Sequence, residues 1–426
     1  MGSELEGTSL EEDRTVLFSL RKRCLKLALF YGFFLLCGIS LLHTLCVPGL
    51  AMRWAALVMP VFLYQMWFLW KNLELNHRPG ERVLLPTLGI GNGLSLLRGL
   101  CICLLAGYLF SSRPPGILAW VPAILYTVSL LSDWFDGYLA RVTNQVTLLG
   151  EALDTEFDCV EMLIAVGLVV WYRTLAWWFL FLGLAPYILI FSLWLLRWLG
   201  RPVYDLPSWI HTPFGLGSRQ FGRPLYDIPR GDRRWPIASM TRAYISVMLW
   251  PIVAPPMTTL AGLVFAFPFT VRWIHYWLIV SGTVDLRSSR YTFLCRAFMV
   301  LFTRWLPLLL RGILVWTVFP PTLMRFQDYQ GQVAYYAAMG FPFPSLTVIL
   351  FAAVGLVGSV LIGLGIAGRF AAFAVLLPTL FTILAGGLSS ELAVVLVVVL
   401  SILILDTGDF SLWQPRDRIF ERRAEE

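Results

Sequence analysis

Residues 117–172 read ILAWVPAILYTVSLLSDWFDGYLARVTNQVTLLGEALDTEFDCVEMLIAVGLVVWY. Two apolar runs, 117–135 and 152–172, flank a polar turn, and each has roughly the 20-residue length at which an α-helix crosses a ~30 Å hydrocarbon core. Neither shows the strict alternation of a membrane β-strand, and a helix satisfies its own backbone groups in lipid, so both are expected to be transmembrane helices. Four aspartates gather where the runs meet. Asp133 and Asp136 stand three apart near the end of the first, and Asp154 and Asp158 four apart near the start of the second. Each spacing returns a pair to one helical face, so two facing helices can converge four carboxylates on one point. A carboxylate at mid-bilayer costs about 2.5–3.5 kcal/mol, less near the interface, and four together repel one another unless cations share the site. Hard oxygen ligands of this kind suit Mg2+ or Mn2+.

The same apolar pattern extends over the chain. Of 426 residues 58% are hydrophobic and 14% charged, too little polar surface to cover a soluble globule, so the chain reads as an integral membrane protein. Further runs at 25–45, 50–70, 88–110, 176–198, 244–262, 264–281, 300–320, 346–366, 369–387 and 391–405 bring the expectation to about twelve crossings. Pro251, Pro255, Pro256 and Pro268 interrupt the pair between 244 and 281. Residues 1–20, acidic and polar, read as a disordered tail. With the N-terminus in the cytoplasm, Arg21 to Arg23, Lys71, Arg78, Arg82, Arg141, the arginines from Arg197 to Arg242 and those near both later loops and the C-terminus lie inside. Only Arg53, Arg113, Arg173 and Arg325 lie outside, which favours cytoplasmic termini and a cytoplasmic turn after Asp136. Arginines facing anionic headgroups account for the net charge of +7 without nucleic acid. The seven cysteines are odd in number, lie mostly in apolar runs and form no C-x-x-C, so they read as packing residues. The four histidines show no metal-binding spacing.

Written as D-x2-D-G-x2-A-R-x8-G-x3-D-x3-D, the stretch fills every fixed position with Asp133, Asp136, Gly137, Ala140, Arg141, Gly150, Asp154 and Asp158. On these residues it strongly resembles the CDP-alcohol phosphatidyltransferase family. The apolar runs give an all-α fold, a polytopic membrane protein of about 12 transmembrane helices, and the resemblance implies a six-helix core over residues 84–284 within it. It implies two divalent ions, Mg2+ or Mn2+, shared by the carboxylates and the diphosphate of a CDP-linked donor. Asp133, Asp136 and Asp154 would be the principal ligands, and Asp158 both a ligand and the general base toward the acceptor hydroxyl. Gly137, Ala140 and Gly150 leave room for a nucleotide against backbone, and Arg141 offers a phosphate a fixed positive fork. The segment Asn92-Gly93-Leu94-Ser95-Leu96-Leu97-Arg98 resembles the family's first helix and marks Asn92 as substrate-binding. Arg242, with Arg233 and Arg234, falls near the start of the fifth core helix, where family members using phosphorylated acceptors place basic residues. A positive-inside flank explains these arginines equally well.

The reaction implied is transfer of a phosphatidyl group from CDP-diacylglycerol to a small alcohol acceptor with release of CMP, in phospholipid biosynthesis. The setting implied is a bacterial plasma membrane with the site cytoplasmic, and the self-association considered is a homodimer. Residues 1–83 then form an N-terminal extension with two helices. Residues 285–426, with Gly340-Phe341-Pro342-Phe343-Pro344 before one helix and Gly368-Arg369 after it, resemble a DoxX-type four-helix membrane module. Between 200 and 242, GRPVYDLP and GRPLYDIP repeat as similar turns. Other readings compete. An aminoalcohol phosphotransferase using CDP-choline or CDP-ethanolamine would carry the same motif. A transporter with an intramembrane acidic cation site, or a non-catalytic helical module, would leave the glycine, alanine and arginine spacing unexplained. A polyprenyl transferase also pairs aspartate clusters with magnesium but lacks G-x2-A-R. A structural ion-pair network would need basic partners, and Arg141 alone does not balance four aspartates.

Overall fold

The structure, a computed structural model, describes residues 2–45, 48–81, 83–201, 203, 236–251, 259–283 and, with short gaps, 289–412. Helices carry the architecture of these residues. In chain order they are α1 (Gly2–Leu45), α2 (Pro48–Lys71), α3 (Gly89–Ala106), α4 (Val121–Val142), α5 (Leu148–Trp171), α6 (Leu180–Trp198), α7 (Pro236–Met248) and α8 (Thr259–Val280). The C-terminal set is α9 (Leu306–Gln327), α10 (Tyr329–Ala338), α11 (Pro344–Leu364), α12 (Gly368–Gly386) and α13 (Ser390–Leu405). The chain is an integral membrane protein. Among the described residues seven helical stretches are long and apolar enough to cross a bilayer: parts of α1, α2 and α9, the whole of α3 and α11, and Gly116–Gly137 and Trp177–Trp198, which run from short helical turns into α4 and α6. Their outer faces leave large apolar side chains uncovered, such as Leu29, Phe33 and Leu36 on α1 and Phe181, Ile188 and Phe191 on α6, as a lipid-facing surface requires.

Seven is fewer than the twelve expected. The other five expected crossings fall on α5, α7, α8, α12 and α13. Five carboxylates, Glu151, Asp154, Glu156, Asp158 and Glu161, interrupt the apolar character of α5. Helix α7 has 13 residues, about 20 Å of rise, short of a full crossing. The apolar stretches of α12 and α13, Gly368–Ile383 and Glu391–Leu403, are likewise short. The expected run at 244–262 does not form as one helix: α7 ends at Met248 and α8 begins at Thr259, and Pro251, Pro255 and Pro256 fall between them. Residues 2–20, expected as a disordered tail, are instead the first turns of α1, with Leu20 fully buried. The segment is rich in Leu and Glu, strong helix formers, and no proline occurs before Pro48.

Helix α3 is the centre of the N-terminal half, packing against α1, α2, α4 and α5. Small residues let the backbones approach. A Cβ on Gly91 would come within 2.8 Å of the Ala140 Cβ on α4, and one on Gly99 would meet Phe157 of α5 and the Tyr31 hydroxyl of α1 at 3.0 Å. Trp54 of α2 fills the space left by Gly38 and Gly107. The short α7 is supported by α4, α5 and α8 and, from the C-terminal set, by α13. The division expected at 284/285 lies outside the described residues. In the C-terminal set, α9 packs against α11 and α13, and α12 against both of these. Arg311 of α9 is buried and donates to the backbone carbonyls of Ile362, Gly363, Thr407 and Phe410. One guanidinium thereby satisfies carbonyls where α11 ends and beyond α13, groups a helix end leaves unpaired. Gly365, at φ +69, closes α11 where a Cβ would strike Ser411.

Candidate active site

The site forms where α3, α4, α5 and α7 meet. Thr147 caps α5: its backbone is extended, and its hydroxyl oxygen accepts from the Gly150 N–H at 3.0 Å. The buried Asn92 of α3 donates to the same oxygen at 3.1 Å, and a Cβ on Gly150 would lie 2.6 Å from the Asn92 Oδ1. Gly150 therefore gives its space to Asn92, and both fix the start of α5. Ala140 packs on Gly91 in the same way. These small residues were expected to make room for a nucleotide; in the fold Ala140 and Gly150 make room for α3.

With α5 so placed, one carboxylate oxygen each from Asp133, Asp154 and Asp158 lies within 4.8 Å of the others. The three side chains are partly exposed, 24%, 37% and 20% respectively, so the cluster opens to a surface. Asp136 is not in this group. It lies one turn along α4, buried, and accepts from the Ser95 hydroxyl of α3 at 2.7 Å. Gly137 follows it on α4, and Arg141 lies in the last turn, its side chain outside the described residues.

The largest departure from the sequence reading is the basic partner set. Arg98, fully buried on α3, donates to Asp133, to Asp154 at 2.9 Å and to Asp158, and its Nε donates to Glu161 at 3.0 Å. Glu161 is itself fully buried one turn beyond Asp158 and accepts from the Ser129 hydroxyl at 2.7 Å. Arg242 of α7 donates to Asp133 Oδ2 at 2.7 Å and also to Asp158. Two guanidiniums thus hold three aspartates and a glutamate, so Arg141, contrary to expectation, is not the one basic residue available to balance the aspartates. Burial of Arg98 is tolerable because its charge is shared among four acids with directed hydrogen bonds.

The residues present fit a divalent cation: three hard carboxylate oxygens within one coordination sphere, facing a surface, already gather positive charge. Among the described cysteines Cys24, Cys101, Cys103 and Cys159 are buried free thiols, and Cys37 is a free thiol on an exposed face.

Comparison with known proteins bears on this cluster. Residues 88–219 match the CDP-alcohol phosphatidyltransferase family. Residues 306–388 match the DoxX family. The first segment covers α3 to α6, and so the helices that bring Asn92, Arg98 and the aspartates together. The chain is 41% identical over 63 residues to a CDP-diacylglycerol–glycerol-3-phosphate 3-phosphatidyltransferase of Salmonella choleraesuis (strain SC-B67), covering 14% of this chain and 34% of that protein. The protein of the same name from Escherichia coli (strain K12) is 41% identical over 64 residues, 14% of this chain and 35% of its own length. That of Wigglesworthia glossinidia brevipalpis is 40% identical over 55 residues, 13% and 30%. The chain thus spans about a third of the length of these curated relatives. No solved structure matches the chain.

Proposed function

We propose that this protein is a membrane phosphatidyltransferase that moves a phosphatidyl group from CDP-diacylglycerol to the hydroxyl of a small acceptor, releasing CMP. The observation that carries the reading is the convergence of Asp133, Asp154 and Asp158 within 4.8 Å, on the segment that matches the CDP-alcohol phosphatidyltransferase family. Asp133, Asp154 and Asp158 would hold Mg2+ or Mn2+, with Asp136 close by on the same helix as Asp133. Bound there, such ions would supply charge neutralisation for the donor diphosphate and for the oxygens that attack and leave. The site lies toward the end of α4 that the arginine distribution favours as cytoplasmic, and the membrane proposed is a bacterial plasma membrane.

The chain's own residues divide the work as follows. Arg98, anchored by Glu161, holds the carboxylates in register. Asp158 is the general base: when the acceptor oxygen attacks the donor phosphorus, the hydroxyl proton passes to its carboxylate and CMP leaves. A carboxylate held by two guanidiniums is a poor proton acceptor, so Arg242 must release it. An acceptor bearing a phosphate gives Arg242 that alternative, because a guanidinium binds phosphate oxygens as well as carboxylate ones. The curated relatives named for glycerol 3-phosphate favour such an acceptor.

Purified full-length protein in detergent, supplied with CDP-diacylglycerol and a panel of phosphorylated and unphosphorylated alcohols, tests the reading through the lipid products. A phosphatidylglycerol phosphate product from glycerol 3-phosphate is expected. A product from choline or ethanolamine alone would transfer the protein to the aminoalcohol class. Arg242→Ala loses a charge-assisted hydrogen bond of about 1.5–3 kcal/mol to the acceptor phosphate, which raises that acceptor's KM about ten- to a hundredfold. Uncharged acceptors should be affected far less. Equal loss with both kinds would make Arg242 a donor-side or structural residue.

A further inference from the structure

The N-terminal helix pair lies outside the family segment, yet it reaches the helix bearing Asp154 and Asp158 from behind. Tyr64 of α2 donates its hydroxyl to Glu156 Oε1 of α5 at 2.5 Å. Glu156 is 1% exposed. It stands two residues from Asp154 and two from Asp158, and at about 100° per residue its side chain leaves the opposite face of α5. A buried carboxylate is costly, and an apolar residue at the same place would pack without that cost. Its placement therefore calls for a directional role.

The rest of the seam points the same way. The Tyr31 hydroxyl of α1 donates to the Leu96 carbonyl of α3. The Cys103 thiol of α3 donates to Gln65 Oε1, the neighbour of Tyr64, at 3.0 Å. Phe157, next to Glu156, packs at Gly99 beside the Tyr31 hydroxyl. Among these contacts the one from Tyr64 ends on a side chain of α5, and a side-chain hydrogen bond at the rim of a helix resists its rotation. Side-chain tips lie about 5–6 Å from a helix axis, so turning α5 by about 10° would move the carboxylates by roughly 1 Å. Misplacement of that size costs on the order of a hundredfold in rate.

We propose that Tyr64 and Glu156 are positioning residues: their hydrogen bond sets the rotation of α5 and with it the placement of the Asp154 and Asp158 carboxylates. The inference rests on reading those aspartates as the cation-binding site of a phosphatidyltransferase. It also gives the N-terminal pair a part in the reaction.

The test uses full-length Tyr64→Phe, Glu156→Gln and the double variant in detergent, with Tyr31→Phe as a packing control. Binding of Mn2+ is followed by the electron paramagnetic resonance of free Mn2+, alongside turnover of CDP-diacylglycerol and thermal unfolding. Each single variant is expected to weaken Mn2+ binding and, at saturating Mn2+, to lower kcat by about tenfold or more while the donor KM stays within about twofold, and the double variant to be no worse than the poorer single. Tyr31→Phe should keep the wild-type Mn2+ affinity and kcat. Wild-type Mn2+ affinity and turnover in Tyr64→Phe, or losses that add in the double variant, would overturn the proposal. Wild-type protein that binds no Mn2+ would instead overturn the cation site on which it rests.

Discussion

Asp158→Asn is expected to lower turnover by about 100- to 10,000-fold, the worth of a positioned general base, while the protein still binds CDP-diacylglycerol. Asparagine keeps the size and one acceptor oxygen of the side chain, so the hydrogen bond from Arg98 survives; what is lost is the capacity to take the acceptor's proton. Asp158 also contributes an oxygen to the cation cluster, so some loss of cation affinity accompanies the loss of the base; in Asp133→Asn and Asp154→Asn, which carry no base role, the loss falls on cation binding alone. Both should weaken Mn2+ binding and metal-dependent donor binding together. Asp136→Asn separates from all three. Its carboxylate accepts from Ser95 and lies outside the three-oxygen group, so a smaller loss of cation affinity is expected than at Asp133 or Asp154. Single-turnover measurements with pre-bound donor distinguish these cases, and near-normal chemistry in Asp158→Asn would remove that residue from the base role.

Arg98→Ala is expected to be the most damaging substitution to the folded protein. It leaves the buried Glu161 without its guanidinium and removes one from three aspartates at once. Breaking a buried ion pair by deleting one partner typically costs about 3–5 kcal/mol, because the remaining charge is left uncompensated. Unfolding in detergent, followed by loss of the monodisperse size-exclusion peak on heating, should therefore occur at a markedly lower temperature. Added Mg2+ or Mn2+ should restore part of that loss, and more of it in Arg98→Ala than in wild type, since a divalent cation among the aspartates replaces positive charge the arginine supplied. Removal of Glu161 as well, in Arg98→Ala with Glu161→Leu, should recover part of the stability without any metal, because the buried glutamate no longer needs a counter-charge while the three aspartates still lack Arg98. Stability unchanged in Arg98→Ala would show that the network contributes little to the fold.

Much of this site was legible in the chain before any coordinates, for a physical reason. Asp133, Asp136, Asp154 and Asp158 lie on two consecutive helices, and helical geometry alone carries spacings of three and four residues into faces. Arg98 was not legible as their partner. It lies 35 residues before Asp133 and 63 before Glu161, and no local periodicity says that α3 crosses both helices closely enough to deliver it. The signal was present in Gly91, Gly99 and Ala140, small residues whose value is close helix approach, but such residues serve packing and ligand space alike. For the same reason Asn92 and Gly150 could be read from sequence as substrate contacts, whereas in the fold they fill one another's space at the start of α5. Arg242 was placed in the right neighbourhood by its charge; its pairing with Asp133 and Asp158 depends on the docking of α7.

At the level of the fold, hydropathy found α1 to α4, α6, α9 and α11 because lipid demands long apolar runs. It overcounted at α7, where Pro251, Pro255 and Pro256 follow a helix of 13 residues. It missed α10, whose ten residues include Gln330 and Gln332 and never reach spanning length. The polar beginning of α1 escaped because polarity was read as disorder, although Leu and Glu favour helix and Leu20 finds a place in the core.

Three aspartates on α4 and α5 are proposed to serve a metal-dependent transfer that releases CMP. Full-length protein in detergent, given CDP-diacylglycerol labelled in the cytidine and glycerol 3-phosphate as acceptor, tests it most directly through the labelled CMP formed. CMP release is expected to require Mg2+ or Mn2+, to stop on chelation and return when the ion is restored, and to fall away in Asp154→Asn. Absence of CMP release with every acceptor and with water, in the presence of either ion, would contradict it.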